Sequence, residues 1–195
     1  MLAAFITSFA IVALAEIGDK TMLLAIVLAA RLRRPLPIIA GILCATIANH
    51  LVAAFIGSEA AAWLDGPVFR YAVAAGFIVM GLWTLVPDKL DDDDEEPRTR
   101  KGGPFLITLV SFFVVEIGDK TQVATIALGA RYHDALLVTA GTTLGMLAAN
   151  VPAVLLGERL VRRISLKWIR YAAAALFIAL GVAMAWALWV SSPSP

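Results

Sequence analysis

The sequence predicts an all-α integral membrane protein whose six transmembrane helices form two inverted three-helix repeats. Three observations support this prediction. The 195 residues are 61% hydrophobic and only 16% charged, whereas a soluble domain is roughly 45–50% apolar. Apolar runs long enough to cross a bilayer recur along the chain. Residue types also recur at an offset of 100 positions.

Six apolar runs of about 20 residues are predicted to be transmembrane helices. They cover residues 3–30, 36–57, 67–87, 104–130, 136–157 and 168–190. Charged or turn-forming residues separate them, and the longest separation is the polar stretch 88–103. Six such spans predict contact with a lipid bilayer. We expect no nucleic-acid partner.

The 100-residue offset aligns two halves of the chain. The matched pairs are Glu16 and Glu116, Lys20 and Lys120, Arg31 and Arg131, Gly41 and Gly141, Gly57 and Gly157, Arg70 and Arg170, and Gly81 and Gly181. We therefore predict a first repeat at 1–87, an acidic cytoplasmic linker at 88–103 and a second repeat at 104–195. Since three spans per repeat is an odd number, the second repeat must enter the membrane from the opposite side.

Basic residues predict the orientation of the chain. The loops after the first, third and fifth spans hold twelve of them: Arg31, Arg33, Arg34, Lys89, Arg98, Arg100, Lys101, Arg159, Arg162, Arg163, Lys167 and Arg170. On the other side are Arg70 and Arg131. The positive-inside rule makes the three basic loops cytoplasmic and places both termini outside. We expect a multi-pass protein of a bacterial inner (plasma) membrane.

The hexapeptide EIGDKT occurs twice, at 16–21 and 116–121, inside the first and fourth predicted spans. On a continuous helix, its Glu, Asp and Lys at i, i+3 and i+4 would share one face. A charge at the centre of a membrane helix costs roughly 2.5–3.5 kcal/mol, so six would cost on the order of 15–20 kcal/mol facing lipid. We therefore expect them to face the interior of the protein.

Inverted repeats would bring the two motifs together near the membrane midplane. The four carboxylates are Glu16, Asp19, Glu116 and Asp119, and the charge-balancing lysines are Lys20 and Lys120. Two positive charges are still needed, and one divalent cation or two protons would supply them. Competition between a divalent ion and protons for the same carboxylates is the chemistry of a cation/proton exchanger.

Ligand chemistry favours a hard divalent ion, because carboxylate oxygens suit Mg²⁺, Ca²⁺ and Mn²⁺. Thr21, Thr121 and Gln122 are candidate neutral oxygen ligands. Gly18 and Gly118 lie between the acids and permit either close helix approach or a local break that exposes backbone carbonyls.

His50 is a polar residue in an apolar run, and the offset pairs it with Asn150 rather than with a second histidine. Interhelical hydrogen bonding is one interpretation. A secondary ligand or proton-relay role is the other, although a lone histidine argues against a metal–histidine site.

Duplicated E-x-G-D-K-T motifs on the first and fourth of six spans, with a polar central loop, resemble the family of the eukaryotic Golgi manganese/calcium transporter and small bacterial manganese exporters. The resemblance covers essentially the whole chain. It implies a divalent-cation/proton exchanger that exports Mn²⁺, or Ca²⁺, as its transported substrate, with no cofactor. It also implies that Glu16, Asp19, Glu116 and Asp119 bind the cation.

Three other functions compete with this prediction. An exporter of a cationic metabolite such as lysine would also need an acidic centre. A passive channel is disfavoured because lysines beside the site would impede cation flow. An intramembrane hydrolase is disfavoured because no nucleophile–base pairing or HExxH-type motif is present, so the chain is not expected to be an enzyme. The oligomeric state is left open.

Overall fold

The computed structural model describes residues 1–64, 66–87, 102–157 and 165–191, and all regular secondary structure in those ranges is helical. Apart from Gly102 and Gly103, the predicted acidic linker at 88–103 lies outside the described residues.

Eight helices occur in the described part of the chain. They are α1 (Leu2–Glu16), α2 (Lys20–Leu32), α3 (Pro35–Trp63), α4 (Pro67–Thr84), α5 (Pro104–Glu116), α6 (Lys120–Tyr132), α7 (Ala135–Leu156) and α8 (Leu166–Ser191). Three of them begin with proline, whose missing N–H costs no hydrogen bond in a first turn. Helices α3, α4, α7 and α8 are long and apolar enough to cross a membrane. This confirms the all-helical membrane class.

The prediction of one continuous helix over 3–30 and another over 104–130 is wrong. The first region is divided between α1 and α2, and the second between α5 and α6. Each interruption falls inside an EIGDKT motif, at Gly18 with φ 86° and at Gly118 with φ 79°. These positive φ values are incompatible with a right-handed helix and favour glycine.

Close helix packing also recurs at an offset of 100 residues. A Cβ atom at Gly41 of α3 would lie 2.8 Å from the carbonyl oxygen of Phe105 in α5, and one at Gly141 of α7 would lie 2.6 Å from that of Phe5 in α1. Glycine therefore lets these backbones touch, as small residues do between membrane helices. Through these contacts α1 packs against α7, and α5 packs against α3.

Helices α3 and α7 pack against each other between these pairs. Thr46 Oγ1 of α3 donates a hydrogen bond to Met146 Sδ of α7 at 2.9 Å. The two residues are equivalent positions in the 100-residue repeat. Equivalent positions touch where two halves meet face to face, so this contact marks the centre of the bundle.

The bundle has an apolar surface and a partly polar interior, the reverse of a soluble protein. Trp63 and Val68 are both 84% exposed, whereas Glu16 and His50 are fully buried. Such a surface requires an apolar surrounding. The chain is therefore a multi-pass membrane protein.

The glycine contacts predict opposite effects of two similar substitutions. Gly141→Ala should lower the stability by about 1–3 kcal/mol, because its methyl group would collide with the α1 backbone. Gly76→Ala is the matched control, since a Cβ at Gly76 in α4 would meet no atom within 4 Å; it should leave stability unchanged or raise it. Thermal unfolding of the purified variants in detergent measures both. Equal unfolding temperatures would contradict this packing.

Candidate cation-binding site

The first EIGDKT motif forms a tight turn between two helices. Ile17 is extended, with φ −70° and ψ 111°, and Gly18 follows with φ 86°. The backbone N–H of Asp19 donates to the carbonyl oxygen of Glu16 at 3.1 Å. This is the pattern of a type II turn, which needs glycine at its third position.

The second motif folds in the same way. Ile117 has φ −64° and ψ 119°, Gly118 has φ 79°, and the N–H of Asp119 donates to the carbonyl oxygen of Glu116 at 3.1 Å. The expectation that Glu, Asp and Lys share one face of a continuous helix is therefore wrong. Of the two roles considered for the glycines, the local break is the observed one.

The turns bring each motif glutamate against the threonine five residues later. Thr21 Oγ1 donates to Glu16 Oε1. Thr121 Oγ1 donates to Glu116 Oε1 at 2.6 Å. Residues five apart do not face each other on a continuous helix, so both contacts depend on the break. The two threonine hydroxyls stabilise carboxylates that are at most 1% exposed.

A larger polar group forms around the second motif, and we call it the Glu116 cluster. It consists of Glu116, Asp119, Thr121 and His50. Asp119 Oδ2 lies 3.2 Å from the Thr121 hydroxyl, and Glu116 Oε1 lies 3.3 Å from His50 Nε2. His50 thus contacts a predicted site residue, and its signals in the sequence were its position in an apolar run and its mismatch with Asn150 in the repeat.

Both motif lysines make polar contacts. Lys20 Nζ lies 3.3 Å from Asp119 Oδ1, so an ion pair joins the first motif to the second. Lys120 is 6% exposed, and its Nζ donates to the Val86 carbonyl oxygen at 3.2 Å and lies 5.8 Å from the centre of the Trp83 ring. The contact between Lys20 and Asp119 is consistent with a charge-balancing lysine.

Helix ends add to the electrostatics of the two motifs. Glu16 and Glu116 are the last residues of α1 and α5, where unpaired carbonyls make the helix end partly negative. Asp19 and Asp119 precede α2 and α6, whose N-terminal N–H groups make that end partly positive. The glutamates therefore lie where a cation is favoured, and the aspartates lie where their own charge is favoured.

The predicted ligands are not all used in the same way. Gln122 Oε1 accepts a hydrogen bond from the Gly118 N–H at 2.7 Å, so it stabilises the turn. In the described ranges, no three His, Cys, Asp or Glu side chains are placed to hold a metal ion together. A single cage of Glu16, Asp19, Glu116 and Asp119 thus stays a prediction.

Broken apolar helices that bury acidic and basic side chains inside a lipid-facing bundle are the features of a membrane transporter for charged substrates. The sequence model of the family described as "Divalent cation/proton antiporter GDT1" matches residues 4–92 and 104–192. The chain belongs to this family, which is a family of transporters and not of enzymes.

Curated relatives span nearly the full chain. A Vibrio cholerae serotype O1 protein named "Putative manganese exporter" is 50% identical over 91% of this chain and 88% of its own length. A GDT1-like protein of Synechocystis is 31% identical over 95% and 98% of the two chains. GDT1-like protein 5 of Arabidopsis thaliana is 30% identical over 93% and 95%. No solved structure matches the chain significantly.

The ion pair between the motifs predicts a coupling between Lys20 and Asp119. Lys20→Gln should lower stability by about 1–3 kcal/mol, because it removes the cation beside a buried carboxylate. The double variant Lys20→Gln/Asp119→Asn should lose less stability than the sum of its two single variants. Urea or thermal unfolding in detergent measures the cycle.

Lys167→Gln is the control, since Lys167 is exposed at the start of α8. It should leave stability within about 0.5 kcal/mol of the wild type. Additive losses in the Lys20/Asp119 cycle would show that the two side chains do not interact.

Proposed function

We propose that the protein exports a divalent cation from the cytoplasm in exchange for protons, with Mn²⁺ the preferred ion and Ca²⁺ a second substrate. The observation that carries this proposal is the pair of buried glutamates, Glu16 and Glu116, each held at a helix break by a threonine hydroxyl. Membership of a divalent cation/proton antiporter family supports the exchange. The Vibrio cholerae relative is named a manganese exporter, which supports manganese as the substrate.

Charge balance gives the exchange its physical basis. The two motifs bury four carboxylates and carry two lysines, so two further positive charges are needed for neutrality. One divalent ion or two protons would supply them, and the two solutions exclude each other at the same oxygens. Binding of the ion on one side of the membrane would then release protons there, and protons on the other side would displace the ion.

The cation would bind between the two motifs, near the middle of the membrane. Glu16, Asp19, Glu116 and Asp119 supply charged oxygens, while Thr21 and Thr121 lie beside the glutamates as neutral oxygen donors. Because Lys20 already contacts Asp119 at 3.3 Å, the ion must displace or share with the lysine at that carboxylate. Through this competition, binding of the ion would move the lysine and so change its contacts with the surrounding helices.

We further propose that the chain crosses the membrane six times as two inverted repeats. In this arrangement α1 with α2, and α5 with α6, each form one broken span. The reciprocal contacts of Gly41 with Phe105 and of Gly141 with Phe5 support a two-fold relation between the halves. Discontinuous helices that meet at the midplane are the usual substrate sites of inverted-repeat transporters.

Differences between the halves support alternating access. A Cβ atom at Gly57 in α3 would collide with the carbonyl oxygen of Ile126 in α6, whereas one at the equivalent Gly157 would meet no described atom within 4 Å. Among the described residues, the close contact at Gly57 is thus not repeated at Gly157. Rocking between two such arrangements would expose the site to each side in turn. We propose that this exporter lies in the plasma membrane; the excess of basic residues in its three predicted cytoplasmic loops supports an orientation with both termini outside.

Neutralising a site carboxylate should stop transport. Glu16→Gln and Asp119→Asn should each reduce Mn²⁺ flux into proteoliposomes by at least about 100-fold, because a neutral side chain cannot exchange an ion for a proton. Asp134→Asn is the matched control: Asp134 caps α7 by accepting from Leu137 N at 3.0 Å, and asparagine caps equally well. It should keep wild-type flux. Normal flux in Glu16→Gln would refute the site assignment.

The same vesicles separate an exchanger from its competitors. An imposed pH gradient should drive Mn²⁺ uphill, which a passive channel cannot do, and Mn²⁺ entry should move protons the other way. Excess lysine should leave the flux unchanged, whereas competition by lysine would indicate an exporter of cationic metabolites. Flux of Mn²⁺ only down its own gradient would refute proton exchange.

The inverted arrangement predicts which side of the membrane each helix end faces. Cys44 is the single cysteine, so single-cysteine variants can be built on Cys44→Ser. In intact cells a membrane-impermeant maleimide should label Ser191→Cys and His133→Cys but not Arg33→Cys. Arg33→Cys should react only after the cells are opened. Labelling of Arg33→Cys from outside would overturn the orientation.

A further inference from the structure

His50 is fully buried in α3 and lies directly against a glutamate of the proposed site. Its Nε2 is 3.3 Å from Glu116 Oε1. In the described part of the chain, Glu116 Oε2 and His50 Nδ1 are buried without a hydrogen-bond partner. Buried polar atoms that lack partners are rare, and a missing ion or water is one of the standard explanations.

The separation of the two side chains suits two neighbouring ligands of one ion. Ligands about 2.1–2.2 Å from an ion and at right angles to each other lie about 3 Å apart. The 3.3 Å between His50 Nε2 and Glu116 Oε1 is close to that value. An ion can therefore bind both atoms after a small adjustment of the two side chains.

The backbone around His50 is held in place by two contacts with the second half of the chain. The neighbouring Asn49 Nδ2 donates to the Phe113 carbonyl oxygen in α5 at 3.1 Å. Thr139 Oγ1 of α7 lies 3.4 Å from the His50 carbonyl oxygen. The first contact holds α3 against α5, which carries Glu116, and the second holds it against α7, so the imidazole is positioned before an ion arrives.

We propose that His50 Nε2 is a ligand of the transported ion and binds it together with Glu116 Oε1. This inference rests on the proposed function, because it names a ligand of that same site. Nitrogen ligands favour transition metals, whereas Ca²⁺ and Mg²⁺ take oxygen ligands almost exclusively. His50 would therefore make the site select Mn²⁺ over Ca²⁺ and Mg²⁺.

The second half of the chain offers a built-in comparison. Its equivalent of His50 is Asn150, which is also fully buried. Asn150 Nδ2 donates to the Met146 carbonyl oxygen at 3.1 Å, and in the described residues its Oδ1 lacks a hydrogen-bond partner. An amide oxygen is a hard ligand that suits Ca²⁺ and Mg²⁺ as well as Mn²⁺. Selectivity would thus come from one half of the site only.

Electron spin-echo spectroscopy of Mn²⁺ bound to the purified protein tests the ligand directly. The chain has two histidines, His50 and His133. Protein labelled with ¹⁵N-histidine should show coupling of ¹⁵N to the Mn²⁺ electron spin. The coupling should persist in His133→Asn and disappear in His50→Asn. Wild-type protein that binds Mn²⁺ without this coupling would overturn the proposal, whether or not the variants fold.

Transport provides the second readout. In proteoliposomes the ratio of Mn²⁺ to Ca²⁺ flux should fall by about tenfold in His50→Asn, the size of effect expected when a metal site loses a supporting group. Asn150→His should not lower this ratio. If wild-type protein carries Mn²⁺ and His50→Asn keeps the wild-type ratio of Mn²⁺ to Ca²⁺ flux, His50 is not a ligand, but the proposed function stands. If wild-type protein carries no divalent ion, the proposed function is wrong, and the ligand assignment is wrong with it.

Discussion

Burial of carboxylates in an apolar bundle is the constraint on which the rest of this structure depends. A charge removed from water costs several kcal/mol even after the protein relaxes, so each carboxylate needs polar partners close by. The type II turns at Gly18 and Gly118 provide them, because they fold the motif threonines back onto Glu16 and Glu116. The same turns end one helix and begin the next, which places the acids among unpaired backbone groups.

The helices around the two turns pack closely and keep the buried motifs away from lipid. Helices α3 and α7 meet at the centre of the bundle and each packs against a broken helix of the other half. Contacts such as that of Gly141 with the Phe5 backbone bring helix axes close and leave little freedom for sliding. The polar residues of the two motifs thus lie among closely packed helices.

The two halves carry the same motif but use it differently. His50 faces Glu116, while its counterpart Asn150 bonds within its own helix. The backbone of the two motifs thus repeats, while the side chains at His50 and Asn150 make different contacts.

The sequence by itself determined the membrane class, the 100-residue repeat and the motif residues, because hydropathy and residue identity are local properties. Four of the six predicted spans match single helices, and the other two were wrong as continuous helices. A glycine in an apolar run is compatible with both a helix and a turn, and only the packing around EIGDKT decides between them. The contact between Glu16 and Thr21 exists because the chain forms a turn at this point.

Only the tertiary structure decided which polar groups meet. EIGDKT is identical at 16–21 and 116–121, yet Glu116 contacts His50, whereas Asn150, the residue equivalent to that histidine, donates to the Met146 carbonyl oxygen of its own helix. Identical local sequences cannot predict different partners. Those partners come from distant helices, and the cost of burying charge without them determines the arrangement that the chain adopts.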